Sequence, residues 1–162
     1  MKTNENPGFA DLKIVIRKFD RSLDLYECDR LVRSFPIVLG FSPDLDKERE
    51  GDGRTPEGEY LIVVKNPESS FHLSLGINYP GPKDAEAGLA AGLITQAEYH
   101  EILDAAENRK LPPQKTALGG EIYIHGGGCE GDWTRGCIAL ANDEMDELFL
   151  LVQVGTKVTI LP

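Results

Sequence analysis

Leu12-Lys13-Ile14-Val15-Ile16-Arg17-Lys18 is the stretch on which the fold class turns. Leu12, Ile14 and Ile16 share one face at a spacing of two, the period of a half-buried strand. Asp20-Arg21-Ser22 turns the chain into Leu23-Asp24-Leu25-Tyr26-Glu27-Cys28, and Asp29-Arg30 turns it again into Leu31 through Val38. Apolar runs joined by short polar turns predict an antiparallel meander. Working outward, residues 43–59 form a loop with Pro43, Gly51, Gly53, Pro56 and Gly58 among seven acidic and three basic side chains. Strands follow over Glu59–Lys65 and Ser70–Leu75. The second has Phe71, Leu73 and Leu75 on one face and His72 and Ser74 on the other.

Thr95-Gln96-Ala97-Glu98 has capping-box spacing. Ala97, Ile102, Leu103 and Ala106 form an apolar stripe behind it, which predicts a helix over 96–109 that Leu111-Pro112-Pro113 stops. Asp84–Leu89 reads as a shorter helical turn. A strand over Glu121–His125 leads into a glycine-rich loop over 126–136. Asn142 then reads as the N-cap of a helix over 143–152, and Lys157–Leu161 closes as a strand. The order is mainly β with inserted helices, mostly antiparallel, and shows no repeated βαβ unit.

The 162 residues suit one core, read as a domain over 11–162 behind a tail over 1–10. A net charge of −10 disfavours a phosphate backbone as partner, so no nucleic acid is expected. No run approaches the ~20 apolar residues of a transmembrane helix. Met1 through Gly8 has neither an apolar core nor a small-residue cleavage site, so it is not read as a signal peptide. Three cysteines cannot make a complete disulfide framework. Cys28 falls at a hairpin turn and His100 on the 96–109 helix, neither in a chemical setting.

The stretch Ile124-His125-Gly126-Gly127-Gly128-Cys129-Glu130-Gly131-Asp132-Trp133-Thr134-Arg135-Gly136-Cys137-Ile138 carries the chemistry. On the preceding strand Tyr123 and His125 face away from Ile122 and Ile124, which sets His125 on the polar face. The glycines let the chain fold back so that His125 meets Cys137. An imidazole beside a thiol takes its proton for acyl transfer, and the N–H groups of Gly136 and Cys137 suit an oxyanion. The same residues allow rival readings. His125, Cys129 and Cys137 read as three zinc ligands, with His72 or His100 as a fourth, although no CxxC pair is present. A tight structural loop around a buried thiol accounts for the glycines but not for the polar residues beside them. An esterase oxyanion loop is rejected, because His72-Leu73-Ser74-Leu75-Gly76 lacks the first glycine of a nucleophile elbow.

Ile124-His125-Gly126, then Thr134-Arg135-Gly136-Cys137-Ile138, with Gly51-Asp52-Gly53-Arg54-Thr55-Pro56-Glu57-Gly58-Glu59-Tyr60 upstream, resembles the L,D-transpeptidase catalytic domain (YkuD-type). The resemblance runs over about residues 11 to 161 and implies a β-sandwich. The loop after His125 is short and Arg135 stands where most members have a second histidine, as in the YafK-like branch. The resemblance implies Cys137 as nucleophile, His125 as general base, and an oxyanion site around Gly136 and the Cys137 N–H, with Gly126 and Thr134 in its motifs. It implies attack on a peptidoglycan stem peptide, release of D-alanine, and resolution of the thioester by an amine (transpeptidase) or by water (carboxypeptidase or amidase). It also implies acylation by carbapenems, no cofactor and no metal, and a periplasmic or cell-envelope location, with the cytoplasm left open by the N-terminus. A catalytically silent peptidoglycan-binding or zinc-stabilised module on the same fold is the alternative. His72, Ser74 and Tyr123 are candidates for the substrate pocket, and Trp133 for packing on the stem peptide, on a sugar or over the core. Arg135 reads either as a surface partner of Glu130 or Asp132 or as a fork for a substrate carboxylate.

Overall fold

The computed structural model describes residues 11–162, so the tail read over 1–10 lies outside the described residues. The meander forms as β1 (Leu12–Arg17), β2 (Ser22–Glu27) and β3 (Arg30–Pro36), paired antiparallel. Ile14, Ile16, Leu23 and Leu25 are fully buried, as the spacing of two requires.

β4 runs from Gly58 to Ser69, longer than the strand read over 59–65. Its apolar pattern stops at Lys65, but its backbone goes on pairing with β5 (His72–Ile77). The first residues of β4 pair instead with β8 (Lys157–Leu161), which lies parallel to β1. β6 (Tyr123–His125) pairs antiparallel with β5, and the two-residue β7 (Ile138–Ala139) lies parallel to β6. The order is β3-β2-β1-β8-β4-β5-β6-β7, mostly antiparallel, with β1–β8 and β6–β7 the parallel pairs.

The edges of this sheet meet. Beyond β3 the chain crosses to β7, where Val38 and Ala139 exchange two main-chain hydrogen bonds of 3.0 Å, and Gly40 bridges to Thr134. The sheet thereby closes over one core, in which Ile16 and Leu25 join Leu75, Ile124, Ile138 and the helical Met145 and Leu148. This is the mainly β sandwich that the resemblance implies.

Three helices are inserted among the described residues. α2 (Gln96–Glu107) carries the predicted capping box: Glu98 N donates to Thr95 Oγ1 at 3.1 Å, and Thr95 N to Glu98 Oε2 at 2.8 Å. α1 (Pro82–Ala90) is longer than the turn read there, because Pro82 opens it and Asp84 accepts the Gly81 N–H. α3 (Asn142–Leu151) is capped at Ala141, not at Asn142. The Asn142 amide oxygen is taken by the Gly127 N–H at 2.8 Å, so it serves the glycine-rich loop instead of the helix. No described helix is long and apolar enough to cross a membrane.

Gly40 sits where the edges cross. A Cβ there would lie 2.1 Å from the Gly53 carbonyl oxygen and 3.0 Å from the Gly136 nitrogen. Gly40→Ala is expected to lower stability by about 1–3 kcal/mol through overpacking. Urea unfolding checks this, and an unchanged midpoint would contradict so close a backbone approach.

Candidate active site

The parallel pairing of β6 and β7 places the two candidate side chains, His125 and Cys137. Ile124 is in register with Ile138, so Cys137, one residue earlier, falls beside Tyr123 on the face that Tyr123 shares with His125. The Tyr123 N–H donates to Cys137 Sγ at 3.4 Å. His125 and Cys137 line one cleft of about 1070 Å³, together with Ser74, Tyr123, Trp133, Thr134 and Arg135.

His125 is 3% exposed, so the polar face read for it is not a solvent face. Phe71 stacks on its ring at 4.7 Å and Trp133 meets it edge-on at 5.7 Å. Phe71 does not join Leu73 and Leu75, because it lies in the tight turn between β4 and β5, where the strand alternation has ended. Burial holds the imidazole below its ordinary pKa, against a smaller upward push from the Gly126 carbonyl. Nδ1 lies 2.6 Å from that carbonyl oxygen. A carbonyl only accepts, so Nδ1 carries the proton and Nε2 is left with the basic lone pair.

Cys137 is half-buried and protonated. Its Sγ donates to the Glu121 carbonyl at 3.3 Å. Burial pushes the thiol up to about 11, aided by the Glu121 charge and opposed by the Tyr123 N–H and the Lys47 ammonium. Among the described residues the thiol's hydrogen bonds thus go to main-chain groups and not to the imidazole. The resting pair is a neutral thiol and a neutral imidazole.

Local backbone explains the turn. Gly136 has φ +137°, and a Cβ on it would meet the Arg54 carbonyl oxygen at 2.8 Å. Thr134 is buried; its hydroxyl donates to the Cys137 carbonyl at 2.7 Å and accepts the Gly136 N–H at 3.2 Å. Thr134 therefore staples the turn, and the Gly136 N–H already has a partner. A Cβ on Gly126 would lie 2.6 Å from Asn142 Oδ1 and 3.0 Å from the Phe71 carbonyl oxygen, so a larger residue there would have to displace the Asn142 side chain.

Ser74 is buried on the cleft, but His72 is not brought to it. His72 takes φ +75° at the turn, and its Nε2 pairs with Asp146 on α3 at 2.5 Å. Arg135 is exposed at the cleft, with no ion pair among the described residues. Asp132, its proposed partner, is held by two bonds from Arg21 and one from the Leu39 N–H. Trp133 donates to the Gly128 carbonyl and forms a half-exposed wall. Cys129 opens onto a separate, smaller hollow beside Trp133 and Ala141. The zinc reading finds no donor set: among the described residues no three His, Cys, Asp or Glu side chains gather at one point.

Phe71, Lys47 and Gln114 also line the cleft and were not singled out in the sequence. Phe71 carries no signal beyond its place after Ser69-Ser70. Lys47 is hidden in an acidic loop.

The family model for the L,D-transpeptidase catalytic domain (YkuD) matches residues 11–160. A putative L,D-transpeptidase YkuD of Bacillus licheniformis is 27% identical over 97% of this chain and 70% of its own length. The helical cell shape determining protein Pgp2 of Campylobacter jejuni shares the fold with a TM-score of 0.60 at 23% identity, over 93% of this chain and 48% of that one. LdtMt1, solved in complex with imipenem, gives 0.52 at 15% identity, over 93% of this chain and 58% of that one. The chain thus spans less than two thirds of these solved proteins.

An imidazole harder to protonate when folded than unfolded adds stability that is complete above its ordinary pKa and is lost as pH falls below it. The His125 contribution should therefore shrink between about pH 7 and pH 5. Urea midpoints of the native protein should fall over that range by more than those of His125→Gln. Parallel pH profiles for the two proteins would contradict it.

Proposed function

The chain belongs to the L,D-transpeptidase catalytic domain family, and we propose that it is a cysteine acyltransferase acting on peptidoglycan stem peptides through a thioester on Cys137. The observation that carries this reading is the common face of His125 and Cys137 on one cleft, with Nδ1 fixed on the Gly126 carbonyl and Nε2 left basic. Nε2 takes the thiol proton as Sγ bonds to the scissile carbonyl carbon. The oxyanion turns to the Cys137 N–H, and the Gly136 N–H joins it by exchanging Thr134. The C–N bond then breaks, and D-alanine leaves with the proton from Nε2. An acceptor amine gives a cross-link or an attached protein; water gives a hydrolase. Residues 11–162 act as one catalytic unit, and the substrate puts the site of action at the cell wall.

Arg135 is proposed to hold a carboxylate of the stem peptide. Its guanidinium is unpaired among the described residues and lies on the cleft, in a chain whose net charge of −10 repels such a ligand. Two parallel N–H bonds to a carboxylate suit that position.

Incubation with muropeptides and mass analysis tests the function. Cross-linked or D-alanine-free products are expected, and no change in any muropeptide would overturn it. Carbapenem adducts and activity should vanish in Cys137→Ala and persist in Cys129→Ala. His125→Ala should slow acylation by about 10²–10⁴-fold.

Arg135→Lys keeps the charge without the fork. It should lower kcat/KM with the fold intact, and Arg135→Ala should lower it further. Native kcat/KM in both would remove the role.

A further inference from the structure

The Glu121 carbonyl that accepts the thiol proton points at Cys137 because Glu121 is left-handed, with φ +57°. This conformation is unfavourable for a glutamate. It is held from one side. The Glu121 N–H donates to Gln114 Oε1 at 2.7 Å, and Gln114 Nε2 is anchored on the carbonyls of Tyr79 (2.9 Å) and Pro112 (3.0 Å). The Gln114 side chain thus uses its acceptor on Glu121 and both donors on fixed backbone. The contact is tight from the chain as well, since a Cβ on Gly120 would lie 2.6 Å from the Gln114 carbonyl oxygen.

We propose that Gln114 is a positioning residue that holds the Glu121 carbonyl against the Cys137 thiol, so that the nucleophile keeps its proton until substrate and His125 draw it away. The device rests on Cys137 as nucleophile but on no particular substrate. A sulfur that donates to a carbonyl is kept neutral, while the Tyr123 N–H favours the thiolate. The Glu121 carbonyl and His125 Nε2 therefore compete for one proton. Removing the clamp lets residue 121 relax to an extended conformation and turns its carbonyl away. The charged and titratable groups around the thiol are Glu121, Lys47, Tyr123 and His125, with Arg135 on the same cleft, and of these Glu121 is the one bonded to Gln114.

The test is the pH profile of iodoacetamide alkylation of the protein without substrate, read at Cys137 by peptide mass. The thiolate displaces iodide, so the rate follows the thiolate fraction. Gln114→Ala should raise the rate at pH 8 at least tenfold and move the profile to lower pH. Two backgrounds that both lack the Glu121 carboxylate separate clamp from charge. In Glu121→Gln the effect of Gln114→Ala should persist. In Glu121→Gly it should fall below threefold, because glycine takes positive φ without a clamp.

A native profile in Gln114→Ala, with native circular dichroism, would overturn the proposal. So would equal acceleration in the two backgrounds. Should Gln114→Ala fail to fold, Glu121→Val against Glu121→Gln makes the same comparison, since a β-branched residue resists positive φ. Valine at least tenfold faster supports the latch, and equal rates refute it. Alkylation needs no peptidoglycan, so a failed muropeptide assay would leave this outcome readable, and the reverse also holds.

Discussion

The site stands on a backbone-to-backbone contact at Gly40. There the chain leaving β3 passes so close to the Gly53 carbonyl and the Gly136 nitrogen that no side chain fits. The contact joins three segments far apart in sequence: the crossing after the meander, the loop over 51–58 and the turn before Cys137. Gly40 N also donates to the buried Thr55 hydroxyl at 3.1 Å, and Phe41 N to the Thr134 carbonyl at 2.9 Å. Both donors are main-chain N–H groups and the acceptors are the Thr55 hydroxyl and a main-chain carbonyl, so these bonds hold the turn in place without using the His125 and Cys137 side chains. Cys137 is therefore carried by the closure of the sheet, and Thr134 transmits that closure to its carbonyl.

Buried ammonium groups fasten the cleft wall. Lys18 is almost fully buried and donates to the Leu45 and Thr55 carbonyls and to Glu57, which uses all three of its protons. Lys47 is buried as well, on the Arg49 carbonyl and Asp52. Asp52 in turn accepts the N–H groups of Glu48, Arg49 and Arg54, which with Lys47 hold its carboxyl below the usual range against burial. Such pairs gain little net stability over an apolar core, but removing one partner strands a charge. The acidic loop over 43–59 is thus a folded wall, and its charges are partly internal structure.

The parts legible in the sequence are those with a local cause. Strand alternation gives the meander, and Thr95 with Glu98 gives the start of α2, because each depends on neighbours within a turn or two. That His125 and Cys137 come to one cleft was legible through glycines that permit the return of the chain. What was hidden depends on distant segments. Asn142 has the chemistry of a cap, yet the Gly127 N–H claims it. Phe71 fits the apolar face of a strand, yet the turn delivers it to His125. His72 shares a strand pattern with Ser74, but its positive φ sends it to Asp146. The two-residue β7 has no pattern to read, although its register with β6 sets the geometry of the site.

Burial acts on both members of the pair in the same sense. It raises the thiol and lowers the imidazole, so each is pushed toward its neutral form. A thiolate–imidazolium pair at rest would place two charges where desolvation opposes both. In the proposed mechanism that charge separation would be stabilised only by a bound acyl group, as negative charge moves from sulfur to the carbonyl oxygen. Proton transfer and carbon–sulfur bond formation would then be coupled, and the Nδ1–H on the Gly126 carbonyl would matter most at that moment of the proposed reaction, when the ring becomes cationic. Phe71 stacks on the imidazole and offers its ring face to a cation there, while Trp133 meets the ring edge-on. The burial that holds the free thiol in its neutral form is thus what substrate binding would have to overcome in the proposed reaction.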